Sequence, residues 1–308
     1  MPRLSTAHYD RASFNPVHLL ARSLRKNTHL PLPVRAANNR RASDLDQRSA
    51  RWRTRYGPWA VVTGASSGIG REMALRLAEA GLNLVLVGRS QAVLDHMAAD
   101  LTARLGIQAQ VIAVDLALAT AVATIETVTH DLDVGLLVAA AGFGTAGSFL
   151  DSTLDQELDM LNVNCRALFA LSLYYGRQFA KRGRGGMVLM SSIVGFQGMP
   201  HAAHYAATKA YVQALAEALY VELGPLGVDV LASAPGPTNS GFAARAGMRM
   251  GMALEPVDVA QPTLDALGRR STVLPGFLSK LLTYSVLFLP RLARVRIMGR
   301  VMRSMTTE

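Results

Sequence analysis

The sequence predicts an α/β fold, an open, doubly wound parallel sheet of about seven strands covered by helices on both faces to give three layers. Three observations carry the prediction. From Trp59 onward, short apolar runs alternate regularly with helical stretches. The runs are almost continuously apolar, as strands are when helices cover both sheet faces. The first run ends in a glycine-rich turn that opens directly into an amphipathic helix, the geometry of a phosphate-binding strand–turn–helix unit.

The elements follow in order. Trp59 to Val62 reads as a buried strand, followed by Thr63-Gly-Ala-Ser-Ser-Gly-Ile-Gly70 and a helix with Met73, Ala74, Leu77 and Ala78 on one face. The turn Gly64, Ser66, Ser67, Gly68, Ile69, Gly70 offers backbone N–H groups to a diphosphate at the helix N-terminus, and Gly68 lets the backbone come close to it. Its spacing, Gly-x3-Gly-x-Gly, differs from the commoner Gly-x-Gly-x-x-Gly. Further strands are expected over 82–87, 109–114, 135–139, 186–191, 227–232 and 271–274, with no repeat or low-complexity tract between them. A long helix is expected from Tyr205 to about Leu223.

Three parts of the chain are distinguished: an extension over 1–56, a catalytic domain over 57–275, and a second extension over 276–308. The formal charge of +10 is unevenly placed. Residues 1–57 hold 12 of the 32 Lys and Arg and 3 of the 22 Asp and Glu, so the remaining 20 and 19 nearly cancel. The first extension is therefore read as a solvated, partly disordered basic arm with one helix near Val17 to Leu24. Its charges lack the interleaved aromatics of a nucleic-acid site, so no nucleic acid is expected as a partner. It lacks the apolar core of a secretory signal, while an Arg-rich organelle transit peptide stays open. The single cysteine, Cys165, rules out an internal disulfide, suits a reducing compartment and reads as a small buried side chain.

Two late segments break the rhythm. Residues 239–255 are rich in Gly and Met, either a mobile lid over an apolar ligand or a surface helix with a greasy face. Residues 276–304 are apolar and basic around Pro290, with no acid before Glu308. Three readings stay open for them: peripheral membrane contact, a dimer contact, or a flap over the substrate cleft. No run reaches the ~20 apolar residues of a spanning helix.

The chemistry centres on Tyr205-Ala-Ala-Thr-Lys209. Residues four apart share a helix face, and an ammonium beside a phenol favours the phenolate, drawing a group of pKa ~10 toward working pH. Thirteen residues upstream of Tyr205, the strand Met187 to Met190 ends in Ser191-Ser192, hydroxyls at the strand edge where open α/β sheets bind ligands. No His/Cys cluster has ligand spacing, so no metal is expected, and His201 and His204 read as loop polar groups.

Taken together, the chain resembles the short-chain dehydrogenase/reductase family in its compact, single-domain Rossmann-type form, over roughly Tyr56 to Pro275. The likeness rests on Thr63 to Gly70, Val114-Asp115-Leu116, Ala139-Ala-Ala-Gly142, Asn164, Ser191-Ser192, Tyr205-x3-Lys209 and Pro235-Gly236, all in the family's order. It implies that Tyr205 is the general acid/base, and that Lys209 lowers its pKa and bonds the nicotinamide ribose. Ser192, with Ser191 the adjacent alternative, implies the hydroxyl that orients the substrate oxygen. Asn164, with Asn162 the competitor, implies the holder of a relay water. Asp115 and Leu116 imply the adenine contact, and Pro235, Gly236 and Thr238 the nicotinamide loop. The family's usual Asn-Asn-Ala-Gly is here Ala139-Ala140-Ala141-Gly142, which predicts some loss of stability or cofactor affinity while Ala140, Ala141 and Gly142 still border the cofactor.

An NAD-preferring site places an acid at the end of the second strand, but here Gly88 is followed by Arg89. Arginine suits a 2′-phosphate, with Ser66 beside it, so NADP(H) is the expected cofactor and NAD(H) the second choice. The expected activity is hydride transfer between a carbonyl and a secondary alcohol on an apolar small molecule, in a cytoplasmic homo-oligomer built on helices near 154–180 and 205–223, with membrane association open through 276–304. The rival reading is a non-catalytic NADP(H)-binding sensor or scaffold.

Overall fold

Seven strands form one sheet in the order β3-β2-β1-β4-β5-β6-β7, every neighbouring pair parallel. The computed structural model describes residues 50, 52–248, 252–286 and 288–305. The strands are β1 (Trp59–Thr63), β2 (Asn83–Gly88), β3 (Ala109–Ala113), β4 (Val134–Ala139), β5 (Gly185–Met190), β6 (Val228–Ser233) and β7 (Thr272–Val273). Each lies within one or two residues of its expected span. The order reverses between β1 and β4, and the crevice above that switch point is where a sheet of this kind binds its ligand.

Covering the sheet are α1 (Gly68–Glu79), α2 (Gln91–Leu105), α3 (Ala121–Thr129), α4 (Leu154–Leu161), α5 (Leu168–Arg182), α6 (Ala203–Leu223), a short α7 (Phe242–Arg245), α8 (Pro256–Ala266), α9 (Gly276–Tyr284) and α10 (Arg291–Met305). Strand periodicity divides the core. On β1, Ala60 and Val62 join the cluster beneath α1 and α8, while Trp59 and Val61 join the one beneath α5 and α6. On β5, Val188 and Met190 face the first cluster, and Met187 and Leu189 the second. Continuous apolar runs are therefore needed in the central strands, whose two faces are both dry.

The last residues of the span read as the first extension pack on the domain. Residues 52–56 are helical, and Trp52 and Tyr56 are buried in the core. Asp229 on β6 fastens this segment, accepting hydrogen bonds from Tyr56 Oη at 2.6 Å and Arg55 Nη2 at 2.6 Å. The basic arm thus ends in a packed segment whose arginines are anchors for carbonyl and carboxylate oxygens. The disorder and the helix expected within residues 1–49 lie outside the described residues.

Residues 276–305 also pack on the domain. Ser279 on α9 is buried, and its Oγ accepts the Gly236 N–H at 2.8 Å. On α10, Met302 is buried with Met199, Ala202 and Ala206, and Met298 packs against this small cluster. A Cβ on Gly299 would stand 3.1 Å from Pro200, so the helix lies close on the loop before α6. The inner faces of this segment border the cleft, through Leu282, Thr283, Met298, Val301 and Met302, as a flap would.

Candidate active site

The carboxyl ends of β1, β2, β4, β5 and β6 open into a cleft of roughly 550 Å³. All seventeen residues expected to bind cofactor line it: Gly64, Ser66, Ser67, Gly68, Ile69 and Gly70 at one end, Arg89, Asp115 and Leu116 beside them, Ala140, Ala141 and Gly142 in the middle, and Tyr205, Lys209, Pro235, Gly236 and Thr238 at the other. Ser191 and Ser192 line it as well.

The glycine turn is shaped by its neighbours. Gly64 and Gly68 have positive φ, +70° and +55°, and Ser67 is extended before α1 with no side-chain cap on the helix. The N–H groups opening α1 thus remain directed to the cleft for an anion. At the end of β4, Thr63 Oγ1 accepts the Ala141 N–H at 3.1 Å. That bond ties β1 to the strand exit where the alanines replace the family's asparagine side chains.

Asn164 does not line the cleft. It sits in a π-helical turn (Asn162–Ala167) between α4 and α5, and it is buried. Its Nδ2 donates to Phe143 O at 2.8 Å and Thr208 Oγ1 at 3.0 Å, while Oδ1 accepts from Phe143 N at 3.1 Å. The amide therefore fixes the chain just past Gly142. A Cβ at Gly142 would come within 3.0 Å of Asn164 Oδ1 and 3.3 Å of Lys209 Nζ, so only glycine leaves that wall open. The same π turn presents Arg166, whose Nη2 donates to the carbonyls of Ala117 and Leu118 and holds the Asp115 loop. π turns recur at functional sites for this reason, since they re-aim successive side chains.

Ser192, Tyr205 and Lys209 meet at the ends of β5 and α6. Lys209 is buried, its Nζ donates to Met190 O at 2.8 Å, and it lies 5.8 Å from the centre of the Tyr205 ring. Ser192 Oγ accepts from Val194 N at 3.4 Å and lies 3.3 Å from Pro235 O. Ser191 points its Oγ away from the cleft, to Lys209 O at 3.0 Å. Of the two serines, Ser192 is the one with a hydroxyl facing Tyr205.

The electrostatics differ from what Tyr-x3-Lys spacing implies. Burial is the largest influence on Tyr205 and pushes its phenol upward, with the Ser192 hydroxyl opposing. Burial also lowers Lys209 to about 8. In this dry cleft, desolvation outweighs the phenol–ammonium attraction. Cys165, buried behind the site, is raised to about 11 by burial, with Lys209 opposing.

A stability profile follows. Lysine titrates at 10.5 when unfolded and near 8 here, so between those values the unfolded chain binds more protons and stability rises with pH. Cys165, moving from 9.0 to about 11, works the other way above pH 9. Urea denaturation of the cofactor-free protein is expected to show a gain of about 1 kcal/mol between pH 8 and 9. Lys209→Met should flatten that step.

Several cleft residues were not singled out by sequence. Phe143 and Met199 line it, and α7 brings Phe242 within 5.2 Å of the Tyr205 ring centre and Arg245 within 4.1 Å of the Phe143 ring centre. Met298 and Met302 close it from α10. The signal available was the Met-rich character of 239–255 and of the basic tail. Residues 238–248 cover the turn closely, since a Cβ on Gly68 would stand 2.6 Å from Ser240 Cβ. Ser240, Gly241, Phe242, Arg245 and Met248 of the first late segment line the cleft, as a lid would, while 252–255 do not; residues 249–251 lie outside the described residues. Thr238 donates its hydroxyl to Gly236 O at 3.0 Å. His204 is paired with Glu157 at 2.6 Å, and no group of three His, Cys, Asp or Glu is placed to hold a metal among the described residues.

The described donors fit a dinucleotide phosphate. A glycine turn without side chains to obstruct it, uncapped N–H groups, and Arg89 with Ser66 at one end meet a Ser/Tyr/Lys set at the other.

Comparison with known proteins agrees. Residues 58–250 match the family model for short chain dehydrogenase. A 7beta-hydroxysteroid dehydrogenase from Clostridium sardiniense is 30% identical over 236 residues, 74% of this chain and 89% of that protein. A solved structure of a 7beta-hydroxysteroid dehydrogenase, studied for stereoselectivity, aligns with a TM-score of 0.75 at 26% identity, covering 80% of this chain and 98% of the other. A short-chain dehydrogenase from Sphingobium yanoikuyae, solved with NADPH, aligns with a TM-score of 0.67 at 32% identity, covering 71% and 87%.

Proposed function

The chain belongs to the short-chain dehydrogenase/reductase family of oxidoreductases, and from that premise we propose an NADP(H)-dependent enzyme that interconverts a bulky apolar ketone and its secondary alcohol. The observation that carries the reading is the cleft itself, with Ser192, Tyr205 and Lys209 at one end and Arg89 in place of an acid at the other.

NADPH, when bound, supplies the hydride that reaches the carbonyl carbon. The turn over 64–70 and Arg89 would hold its phosphates, and Lys209 and the 235–238 loop its nicotinamide end. Ser192 Oγ–H donates to the substrate oxygen and orients it. The Tyr205 phenol gives that oxygen a proton as negative charge develops there, and takes it back in the oxidation. Lys209, charged below about pH 8, favours the phenolate left behind. Asn164 acts as a positioning residue, holding the backbone that borders Lys209.

Substrate class is read from the lining. Phe143, Met199, Phe242, Met248, Met298 and Met302 make the substrate end apolar and adaptable. The steroid-converting relatives support a rigid, bulky ligand of that character. A homo-oligomer is part of the proposal, because Leu158, Leu161, Phe169 and Leu173 on α4 and α5 and Tyr211 and Val221 on α6 are exposed apolar groups. A cytoplasmic setting suits the single free cysteine.

Cofactor choice is testable at one residue. Arg89→Ala removes a charged bidentate donor worth roughly 1.5–3 kcal/mol. Fluorescence titration should show NADPH affinity falling roughly 10–100-fold and NADH affinity nearly constant. Equal losses for both cofactors would place Arg89 outside 2′-phosphate recognition.

A further inference from the structure

We propose that the outer face of α9, the following turn and α10 docks this protein onto a bilayer surface bearing anionic lipid, with the mouth of the cleft toward the lipid. The inner faces of the two helices are used by the fold, as Ser279, Met298, Gly299 and Met302 show. The outer faces are distinct and regular. On α9, Phe277, Lys280, Leu281 and Tyr284 recur at helical spacing, and Phe277 is 77% exposed. In the turn, Phe288 is 92% exposed. On α10, Leu292, Arg296, Arg300 and Arg303 share the face opposite Met298 and Met302.

A large aromatic group at 92% exposure is not explained by the fold, since burying it elsewhere would stabilise the protein. Charge selects the occupant. Between residues 276 and 305 there are six Lys and Arg and no acid, whereas residues 58–275 hold 14 Lys and Arg against 18 Asp and Glu. A second copy of this face would bring like charges together, which a close apolar interface does not tolerate. A lipid surface accepts both features, since apolar side chains enter the acyl boundary while cations remain among anionic headgroups. No described helix is long and apolar enough to cross the membrane, so the association lies in the plane of the surface.

Continuity with the cleft gives the arrangement a use. Leu282 and Val301 line the cleft and remain partly solvent-exposed, so the two helices that carry the docking face also border the cleft. An apolar substrate dissolved in the bilayer would then reach the site without crossing water. The docking itself does not depend on the reaction proposed above, and its test needs no turnover.

The test is sedimentation of the full-length protein with vesicles of phosphatidylcholine alone or mixed with phosphatidylglycerol. The bound fraction should rise with the anionic lipid and fall steeply at about 0.5 M salt. Phe277→Glu with Phe288→Glu should weaken partitioning roughly tenfold or more, while the melting temperature and NADPH affinity stay at wild-type values. Arg296→Glu with Arg300→Glu should remove the preference for the anionic vesicles. No vesicle binding at low salt would overturn the proposal. So would undiminished binding in the phenylalanine double variant, which would move the contact to the basic residues 1–57. Conversion of an oligomer to a monomer by that variant, without vesicle binding in the wild type, would make the face a subunit interface instead.

Discussion

Tyr205→Phe is expected to lower kcat for ketone reduction by about 10²–10⁴-fold, the range that a positioned general acid supplies. NADPH affinity should change less than about twofold, since the substitution removes one oxygen and leaves the ring. The surroundings support that separation. The ring of Tyr205 packs 5.2 Å from Phe242 and borders the Gly144 backbone, contacts that phenylalanine keeps. Only the hydroxyl opposite Ser192 is lost. KM for the ketone should rise much less than kcat falls, because a proton given only in the transition state contributes little to ground-state binding. Ser192→Ala is expected to be milder, because Tyr205 can still protonate the oxygen that Ser192 orients. The same measurement decides against the sensor or scaffold reading. A protein that only binds NADP(H) would show tight NADPH binding and no turnover that depends on the phenol, across a panel of bulky ketones.

Burial of Tyr205 and Lys209 bears on the pH dependence of that reaction. A phenol raised by desolvation is a weaker acid, but it stays fully protonated at neutral pH, so the proton that reduction needs is in place. Reduction should therefore persist through neutrality and decline as Lys209 loses its proton near pH 8. Spacing along the helix does not contain this information. Tyr-x3-Lys specifies a shared face, but whether attraction or desolvation dominates depends on Met190, Pro235 and Phe242, which arrive from β5, the loop after β6 and α7.

The same division between local and long-range determinants explains what could be read beforehand. Central strand positions were legible because those strands are dry on both faces, so the run from Trp59 to Val62 or from Met187 to Met190 has no polar residue to blur its edges. The glycine turn and the Ser-Tyr-Lys set were legible because their chemistry restricts residue type at fixed spacing. Residues 52–56 were not. Two aromatics among arginines resemble a solvated basic arm until Asp229, 173 residues beyond Tyr56, supplies their partner. Likewise, the amphipathic pattern of 276–305 shows that one face of each helix is apolar, but not that the face covers the cleft. Asn164 was found by register, yet its amide is spent on Phe143 and Thr208, contacts created by a π turn that periodicity does not announce.

Gly70→Ala is expected to be severely damaging, to the fold and to the phosphate site together. Gly70 is buried in the first turn of α1, and a Cβ there would overlap the Gly64 carbonyl oxygen. Backbone cannot swing aside as a flexible side chain can, and Gly64 is itself held at φ +70° with Ala141 packed against it. Relief requires α1 to lift from β1, opening the contact of Met73, Ala74 and Leu77 with the core. A forced displacement of this kind costs about 3–5 kcal/mol, beyond the usual overpacking range because the obstacle is main chain. The N–H groups that face the cleft would move with the helix, so NADPH affinity should fall by about a hundredfold or more. Gly224→Ala provides the contrast. Gly224 has φ −54° and a Cβ there meets nothing within 4 Å. It should be neutral or stabilise by about 0.4–1 kcal/mol through the unfolded chain. Urea denaturation of the two variants side by side measures the difference. If Gly70→Ala matched Gly224→Ala in stability and NADPH affinity, close packing of α1 on the glycine turn would not be what builds the phosphate site.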